Sequence, residues 1–468
     1  MQGVITREDI NPVIKFTDYS PYAEGIDKES YTYNDLNKEI DAFKNLLEPK
    51  IKKENPTVVI GMQASKEQFA CLFACYELGI SVSIIDYERA DDFDVETYID
   101  PKTDILSPID YFVVHKADKG PKYEFFKAKA IEEIVLADQK KDYTPNTTIK
   151  AKPDTIAIRC TSSGTTNTPK KIEHTHEFLK AVAMRNTSMY YGRFGIGYNL
   201  NHGSSMATYF LPCLFSKDTT ECKNLRHFKT YKLQPDWGKT IAMDHFMISY
   251  KIDTEIWAKN HSDPNLNLYT LGPISPEIYG KFKDVISIFG SNETSGPTLL
   301  CKLSYYMEGN KKPFFKAQDD FYGYEIIDGR MHVKMPVYNT VHNTQDKFEI
   351  IDDKFYFKGR DDLYRINGLE VDKFHFEQLM YKILKGHDKG QIVYDLIRQE
   401  IYLAVWHKIN EGKIMKRFNK QLDDEHKITK VASLNMKQFL SGVKVDQELL
   451  REHFSNNVES TQRINLPF

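Results

Sequence analysis

The order of apolar and polar residues predicts alternating helices and strands in the first third of the chain. An amphipathic helix is predicted over 31–48, and a second helix over 66–79 ends at Gly79, which can adopt a left-handed cap. Apolar runs at 57–62 and 81–86 flank the second helix and are typical of buried strands. Strand–helix–strand order implies a right-handed crossover, so we expect a parallel sheet in an α/β core. The stripe of the first helix consists of Leu36, Ile40, Phe43 and Leu47.

The same alternation returns at 154–190 and around 266–289. After about residue 320 the pattern changes, and two alternating runs flank Asp328-Gly329, which is a strong hairpin signal. A second hairpin is predicted with its turn at Asp352-Asp353. These runs indicate a small β-hairpin subdomain within a larger unit.

The residues after Gly359 predict a separate small domain. They contain a helix, two strand-like runs, a further helix and a final segment of mixed charge, which is enough for an α+β domain of about 100 residues. We therefore expect two domains. Residues 1–359 form a large, multi-subdomain α/β domain with mixed, mostly parallel sheets, and residues 360–468 form the small one.

Composition excludes several functional classes. The 468 residues contain 63 Lys and Arg against 66 Asp and Glu, so no strong field attracts nucleic acid. No apolar run approaches the roughly 18 residues that span a bilayer, and the first residues lack the pattern of a signal peptide. The six scattered cysteines contain no CxxC, which argues against a zinc ribbon and favours a reducing cytoplasm. Cys71 and Cys75 are expected to be small core side chains.

A loop rich in hydroxyl groups follows the predicted strand at 156–160. Gly164 allows close approach of the backbone to an anion, and Lys170 adds a positive charge. A Walker A motif is absent, and a flexible surface loop is the alternative interpretation. The preceding strand, the Pro169-Lys170 end and the following helix favour phosphate binding. The candidate residues are Thr161, Ser162, Ser163, Gly164, Thr165, Thr166 and Lys170.

In this loop the sequence resembles the acyl-adenylate-forming (AMP-binding) superfamily of acyl-CoA synthetases, aryl-acid ligases and peptide-synthetase adenylation domains. The family signature runs Thr/Ser-Ser-Gly-Thr-Thr-Gly-x-Pro-Lys-Gly and is followed by Thr-His. Asn167 and Lys171 stand where the family usually has glycine. The residues in register are Ser162, Ser163, Gly164, Thr165, Thr166, Pro169, Lys170, Thr175 and His176.

Later motifs of the family follow in order, which makes the match more specific. Gly272 fits the strand end that covers adenine, and 289–293 (FGSNE) fits Tyr-Gly-x-Thr-Glu. The resemblance implies that Phe289 stacks on adenine, that Gly290 and Asn292 lie at the nucleotide, and that Glu293 holds Mg²⁺. In isolation, the same segment would be read as a polar turn after a strand.

The next motif is Thr344-Gln345-Asp346, with Gln in place of the family's Gly. The resemblance implies that Asp346 binds the ribose hydroxyls and that Arg360 provides a second nucleotide contact. The hinge acid is Asp361 or Asp362. The following segment, LYRINGLEV, is one residue short of the family pattern. It places Arg365 at the basic position and Gly368 in the thiol-acceptor loop. A solvated surface turn is the alternative.

Two further sites rest on the resemblance. Near the C-terminus, SGVKVDQELL is similar to Gly-Lys-Val-Asp-x-x-x-Leu, which makes Lys444 the catalytic candidate although Val443 is inserted before it. An exposed lysine is the alternative. The acid pocket is expected within 199–215, with its mouth at His202, Gly203 and Ser204. For His202, a purely structural histidine in a turn is an equally good interpretation as a residue of the pocket mouth. No Asp suited to an α-amino group is evident, which disfavours an amino-acid substrate.

The resemblance implies ATP-dependent activation of a small carboxylic acid, with Lys170, Glu293 and Lys444 as catalytic residues. ATP and Mg²⁺ are the expected cofactors. A mobile small domain would then bring a thiol to the acyl-adenylate. The segment after Lys444 is too short for an attached carrier domain, so the acceptor is expected to be coenzyme A or the phosphopantetheine of a separate acyl carrier protein.

Two alternatives stay open. The enzyme could pass the acyl group to an amine or hydroxyl, or the chain could be a degenerate nucleotide-binding member with a regulatory role. The departures at Asn167, Lys171, Asn292, Gln345 and Val443 keep the second alternative open. Retention of the charged groups that the chemistry needs argues against it.

Overall fold

The structure is a computed structural model that describes part of the chain. The described residues are 3–19, 28–51, 54–62, 65–84, 109–114, 127, 130, 132–135, 140–161, 171–197, 200, 205–224, 243–248, 258, 261–271, 278, 280–302, 305, 314–360, 364–366, 369–371, 373–385, 389–395, 398–422, 426–441, 444–445 and 449–455.

The α-helices with defined bounds are α1 Tyr33–Leu47, α2 Lys66–Leu78, α3 His176–Asn186, α4 Leu211–Phe215, α5 Lys373–Leu384 and α6 Glu411–Asn419. Residues 449–455 are also helical. A π-helical turn, Met206–Phe210, leads directly into α4. Short 3₁₀ turns occupy Arg7–Asp9, Glu48–Lys50, Thr187–Met189 and Met436–Phe439. Within this part of the chain, none of the helices has the length and apolar character that a membrane span requires.

The strands of the first half are β1 Lys15–Tyr19, β2 Lys28–Thr32, β3 Thr57–Gly61, β4 Ser81–Ile84, β5 Tyr111–Val114, β6 Glu132–Val135, β7 Ile156–Thr161, β8 Lys171–Thr175, β9 Gly192–Gly197 and β10 Thr219–Asn224. Those of the middle are β11 His245–Ile248, β12 Asp263–Leu271, β13 Phe282–Ser291, β14 Gly296–Cys301, β15 Lys316–Ala317, β16 Gly323–Ile327, β17 Arg330–Met335, β18 Thr340–Ile351 and β19 Lys354–Arg360. The last are β20 Tyr364–Ile366, β21 Leu369–Val371, β22 Gly390–Asp395, β23 Glu400–Val405, β24 Ile428–Ser433, β25 Leu440–Ser441 and β26 Lys444–Val445.

Three sheets make up the larger part of the described chain. The first has nine strands in the order β15-β14-β13-β12-β11-β9-β10-β1-β2, and the second has six in the order β6-β5-β3-β4-β7-β8. Both are parallel at their centres. The nine-stranded sheet carries antiparallel strands at both edges, and the six-stranded sheet carries one, β8, at a single edge. The third is the antiparallel sheet β16-β17-β18-β19. Smaller sheets follow: β20-β21, β22-β23-β24 and β25-β26.

The predicted fold class is confirmed, and most of the predicted elements are present. The apolar stripe of α1 is buried along its length, and Gly79 caps α2 with φ 72°. β3 and β4 pair in parallel across α2, as the strand–helix–strand pattern predicts. The two hairpins turn at Asp328-Gly329 and Asp352-Asp353. All six cysteines are described by the structure, and each is a buried thiol outside any disulfide, Cys71 and Cys75 among them.

One expectation was wrong in part. The alternation at 154–190 predicts another strand and helix of the parallel pattern, but β7 is followed by the antiparallel strand β8 before α3 begins. In β8 the side chains of Ile172 and His174 are buried, whereas Lys171 and Glu173 are exposed. This two-residue period is that of a strand, and it is short enough to be mistaken for the approach to a helix.

Buried apolar side chains form separate clusters. A large one extends from Ile5 to Phe355, and a second extends from Ile366 to Val431. A third, smaller cluster joins β22 and β23 to residues 439–454. The clusters of the C-terminal residues contain no side chain before Ile366. The predicted division between residues 359 and 360 stays a prediction.

A buried carboxylate fastens the N-terminal segment to α1 and α2. Glu77 Oε2 lies 2.8 Å from Arg7 Nη2 and 2.6 Å from Lys44 Nζ, and the Lys44 side chain is fully buried. Arg7 also pairs with Asp41 at 2.6 Å. Burial alone would raise the pKa of Glu77, but the hydrogen bonds from Arg7 and Lys44 outweigh it and lower that pKa. The first turn of the chain is therefore held by charges that water does not screen.

Replacing Lys44 by Met should lower the free energy of unfolding by about 3 kcal/mol, because removing one partner leaves a buried charge uncompensated. Chemical denaturation measures the change. Lys38→Met, at an exposed position of the same helix, is the matched control and should stay within about 0.5 kcal/mol of the parent. Equal stability of the two variants would contradict the assigned role of the Lys44–Glu77 pair.

Candidate nucleotide site

The predicted phosphate loop is the connection of an antiparallel hairpin. β7 ends at Thr161 and β8 begins at Lys171, and the Cα atoms of these two residues are direct partners across the pair. Residues 162–170 lie outside the described residues. The hairpin nevertheless fixes where the loop begins and ends, at one edge of the six-stranded sheet.

The charge of Lys171, which stands where the family has glycine, is matched locally. Lys171 Nζ lies 3.1 Å from Glu173 Oε1, and Arg159 Nε lies 2.9 Å from the same oxygen. The three side chains form one partly exposed cluster on the hairpin. Lys171 is thus paired within the hairpin and does not disrupt the pairing of β7 with β8.

The Thr-His pair after the loop has structural contacts. Thr175 caps α3, since its hydroxyl accepts the N–H of Phe178 at 3.3 Å. His176 is fully buried, accepts the N–H of Ile5 at Nδ1 over 3.3 Å, and packs edge-on against Tyr76. Burial lowers the pKa of His176 to about 3, so the ring is neutral. This histidine joins α3 to α2 and to the N-terminal segment.

The predicted carboxylate for magnesium lies on the turn between β13 and β14. Thr294 shapes this turn, because its hydroxyl accepts the N–H of Ser291 at 3.1 Å. Thr294 is buried, whereas Asn292 and Glu293 are partly exposed. Glu293 forms no ion pair with any described residue. The carboxylate is thus presented on a closed turn.

This donor set suits Mg²⁺. Magnesium retains several waters and is commonly held by one or two carboxylates together with the phosphates of its substrate. The described residues contain no cluster of three or more His, Cys, Asp or Glu that would form a metal cage of its own. A single partly exposed carboxylate on a turn fits an ion that arrives with a nucleotide.

Aromatic packing connects this turn to the antiparallel hairpin sheet. The ring of Phe289, near the end of β13, meets Phe348 edge-on at 4.9 Å and Phe357 at 6.3 Å. Phe315 closes the group at 6.1 Å. Phe289 is half-buried, so part of its surface stays accessible at the place where adenine stacking is predicted.

Two predicted ribose contacts are brought opposite each other. Asp346 on β18 and Arg360 on β19 are direct cross-strand partners. Thr344 supports Asp346, because its hydroxyl accepts the Asp346 N–H at 3.2 Å and donates to the Met331 carbonyl at 2.9 Å. Asp346 and Arg360, fourteen positions apart in sequence, are thus direct neighbours in the sheet.

Gln345 occupies the position of the family's glycine and keeps a left-handed backbone. Its φ is 62°, a region that costs a residue with a Cβ atom about 1 kcal/mol. Its N–H donates to Asn343 Oδ1 at 2.8 Å, which stabilises the turn before Asp346. The conformation that glycine would favour is present without glycine.

A buried histidine links the loop hairpin to the Glu293 turn. His174 Nε2 lies 2.6 Å from the carbonyl oxygen of Asn292, and Nδ1 lies 3.4 Å from the hydroxyl of Tyr338. The same hydroxyl accepts the N–H of Thr175 at 3.0 Å. Burial lowers the pKa of His174 to about 4. Sequence reasoning missed both His174 and Tyr338, although the alternation of β8 signals that His174 points inward.

The other predicted residues are placed less completely. Arg365 lies on β20 opposite Glu370, and Lys444 begins β26 opposite Ser441. Their side chains and that of Arg360 are outside the description. The remaining candidates outside the described residues are Gly272, His202, Gly203, Ser204, Asp361, Asp362 and Gly368. The structure therefore brings together the loop hairpin, the Glu293 turn and the Asp346–Arg360 pair.

Comparison with known proteins supports the interpretation of the phosphate-loop motif. Residues 16–217 match the model of the AMP-binding enzyme family. No curated protein matches the chain. Over these residues the match confirms the resemblance to the AMP-binding enzyme family.

Three solved structures illustrate the likeness of the fold. The McyG A-PCP complex with phenylalanyl-adenylate is 14% identical, with TM-score 0.77 over 99% of this chain and 97% of that one. The anthranilate CoA ligase AuaEII with anthranoyl-AMP is 13% identical, with TM-score 0.74 over 96% and 97%. O-succinylbenzoate CoA synthetase (MenE) from Bacillus subtilis with AMP is 16% identical, with TM-score 0.73 over 95% and 97%.

Gln345→Gly should raise the free energy of unfolding by about 1 kcal/mol, because glycine adopts a positive φ without steric cost. Gln345→Ala, which keeps a Cβ atom, is the control and should stay within about 0.5 kcal/mol of the parent. Both are measured by chemical denaturation. A loss of stability in the Gly variant would show that the Gln345 side chain, rather than its backbone, holds this turn.

Proposed function

We propose that this chain, which carries an AMP-binding enzyme domain in the fold of the acyl-adenylate-forming superfamily, activates a small carboxylic acid with ATP and transfers the acyl group to a thiol. The observation that carries the proposal is the pairing of Asp346 with Arg360, two charged residues suited to a ribose and its phosphate. Phe289, near the end of the strand that leads to the Glu293 turn, packs on Phe348 of β18, the strand that carries Asp346. Adenylates and AMP bound in the three similar structures support the same chemistry.

The first step joins two anions, so the site must supply positive charge and hydrogen-bond donors. An oxygen of the acid forms a bond to the α-phosphorus of ATP, the bond from that phosphorus to the bridging oxygen breaks, and pyrophosphate leaves. The hydroxyls and N–H groups of 161–166 and the charge of Lys170 hold the phosphates. Mg²⁺, when bound at Glu293, supplies further positive charge to the phosphate oxygens. Lys444 bridges the acid and the nucleotide.

Orientation contributes as much as charge. Asp346 and Arg360 fix the ribose, Phe289 and Gly290 face the adenine, and Asn292 contacts the α-phosphate. Restricting the nucleotide in this way replaces a collision between reactants by an arrangement that is already close to reaction. His202, Gly203 and Ser204 would form the mouth of the acid pocket, and Gly272 would cover the adenine.

The second step uses a different arrangement of the small domain. Rotation about Asp361 or Asp362 withdraws Lys444 and brings the Gly368 loop, with Arg365 close by, to the acceptor. The thiol sulfur forms a bond to the acyl carbon, the bond from that carbon to the phosphate oxygen breaks, and AMP leaves as the thiol proton is released. The acceptor is coenzyme A or the phosphopantetheine of a separate carrier protein. The six buried cysteines, none of which forms a disulfide, support a cytoplasmic location.

Pyrophosphate release from ATP and Mg²⁺ should occur with at least one member of a panel of aryl and short acyl acids. The measurement is made with and without coenzyme A, with AMP followed in parallel. Formation of AMP that requires the thiol supports the thiol acceptor. Acyl-adenylate that accumulates in the presence of coenzyme A and of a phosphopantetheinylated carrier argues for an amine or hydroxyl acceptor. Absence of release with every acid would favour a nucleotide-binding, regulatory role.

Lys444→Ala should slow adenylation about 100-fold, because it removes one charge that stabilises the transition state. Transfer from preformed acyl-adenylate should change far less, since the lysine is withdrawn before that step. Each half-reaction is measured separately by rapid quench. Lys437→Ala, at an exposed position of the same region, is the control and should leave both rates unchanged. Equal slowing of the two half-reactions by Lys444→Ala would refute its role.

A further inference from the structure

We propose that His174 is a positioning residue that holds the Glu293 turn in register with the hairpin that closes the phosphate loop. Its ring joins the Asn292 carbonyl, next to Glu293, to the strand that follows the loop. The inference rests on the proposed function only in assigning magnesium to Glu293. The ring itself touches neither nucleotide nor metal in this assignment and acts through the backbone.

The hydrogen bonds determine the state of the ring. A carbonyl oxygen can only accept, so the 2.6 Å contact to Asn292 requires a proton on Nε2 of His174. Burial disfavours the charged form, which leaves Nδ1 as a bare acceptor. The hydroxyl of Tyr338 donates to this nitrogen across 3.4 Å. Both ring nitrogens are thus used, each in a defined role.

The orientation of the ring is fixed from both sides. Tyr338 is itself anchored, since its oxygen accepts the Thr175 N–H at 3.0 Å. Phe178 stacks on His174 with centroids 5.0 Å apart and on Tyr338 at 4.6 Å. Because His174 is 1% exposed, water cannot substitute for its bond to Asn292.

The contacts connect elements that carry different parts of the site. His174 lies on β8, directly after the phosphate loop, and Asn292 lies on the turn of the nine-stranded sheet. Tyr338 lies between β17 and β18, ahead of Asp346 in the hairpin sheet. A rigid ring between these elements sets the distance from the β7–β8 hairpin to the turn that carries Glu293. Residues that orient a metal ligand in this indirect way commonly change metal affinity or activity by about 10- to 100-fold when removed.

Three substitutions test the assignment. His174→Leu keeps an apolar side chain but leaves the Asn292 carbonyl without a donor. His174→Gln keeps an N–H where Nε2 stood. His245→Leu is the matched control, since His245 is also 1% exposed and hydrogen-bonded, through Nδ1 to Tyr269 at 3.1 Å, on β11 away from the described site elements.

The Mg²⁺ concentration for half-maximal pyrophosphate release should rise about tenfold in His174→Leu, with kcat reduced about tenfold and the KM for the acid nearly unchanged. His174→Gln should recover both values to within about threefold of the parent. His245→Leu should lose stability but keep the kcat and the Mg²⁺ dependence of the parent. Parent-like kcat and Mg²⁺ dependence in folded His174→Leu, or the same changes in His245→Leu, would overturn the assignment.

Two measurements do not need turnover. In ¹⁵N-histidine spectra of the full chain, the His174 ring, identified by its loss in His174→Gln, should carry its proton on Nε2. A proton on Nδ1 would overturn the proposal, including in the case that His174→Leu does not fold. In thermal unfolding with ATP, the Mg²⁺ concentration for half-maximal stabilisation should rise about tenfold in His174→Leu, as it does for pyrophosphate release. If the parent releases no pyrophosphate with any acid, the proposed function fails, and these two measurements still decide the role of His174.

Discussion

The hydrogen bond from the His174 ring to the Asn292 carbonyl connects the six-stranded sheet to the nine-stranded sheet. The six-stranded sheet ends in the β7–β8 hairpin, and the nine-stranded sheet supplies the β13–β14 turn. Tyr338, from the antiparallel hairpin sheet, completes the contact at the other ring nitrogen. Three sheets thus meet at one neutral, buried side chain. The proposed chemistry depends on this junction, because the phosphate loop, the magnesium carboxylate and the ribose contacts belong to different sheets.

Charge is distributed in two ways in this protein. In the interior, Glu77 holds Arg7 and Lys44 in a closed group that serves stability. At the candidate site, Glu293 is partly exposed and unpaired among the described residues, while Asp346 stands beside Arg360. A chain with a formal charge of only −3 thus places individual charged residues at the candidate site, where the proposed nucleotide would meet them. Local placement supplies the field that the overall composition lacks.

Most of the fold follows from patterns that the sequence displays. The stripe of α1, the glycine cap of α2 and the turns at Asp328-Gly329 and Asp352-Asp353 are local features, so local patterns predict them. The strand β8 was missed because five residues are too few to distinguish a two-residue period from the start of a helix. The order of motifs predicts Asp346 and Arg360 as nucleotide contacts. It did not predict His174, because the partners of that residue lie more than a hundred positions away, and no local pattern encodes such contacts.

The backbone conformation of Gln345 bears on which residue types this turn can accept. A glycine is usually read as the reason for a left-handed turn, but here a residue with a side chain, Gln345, adopts a φ of 62°. The surrounding hairpin, with Asn343 and Thr344 bonded to the backbone, imposes the dihedral angle on whichever residue is present. At this position the hairpin, rather than the residue type, therefore determines the backbone φ angle. Solved structures that are only 13–16% identical to this chain share its fold over nearly their whole length.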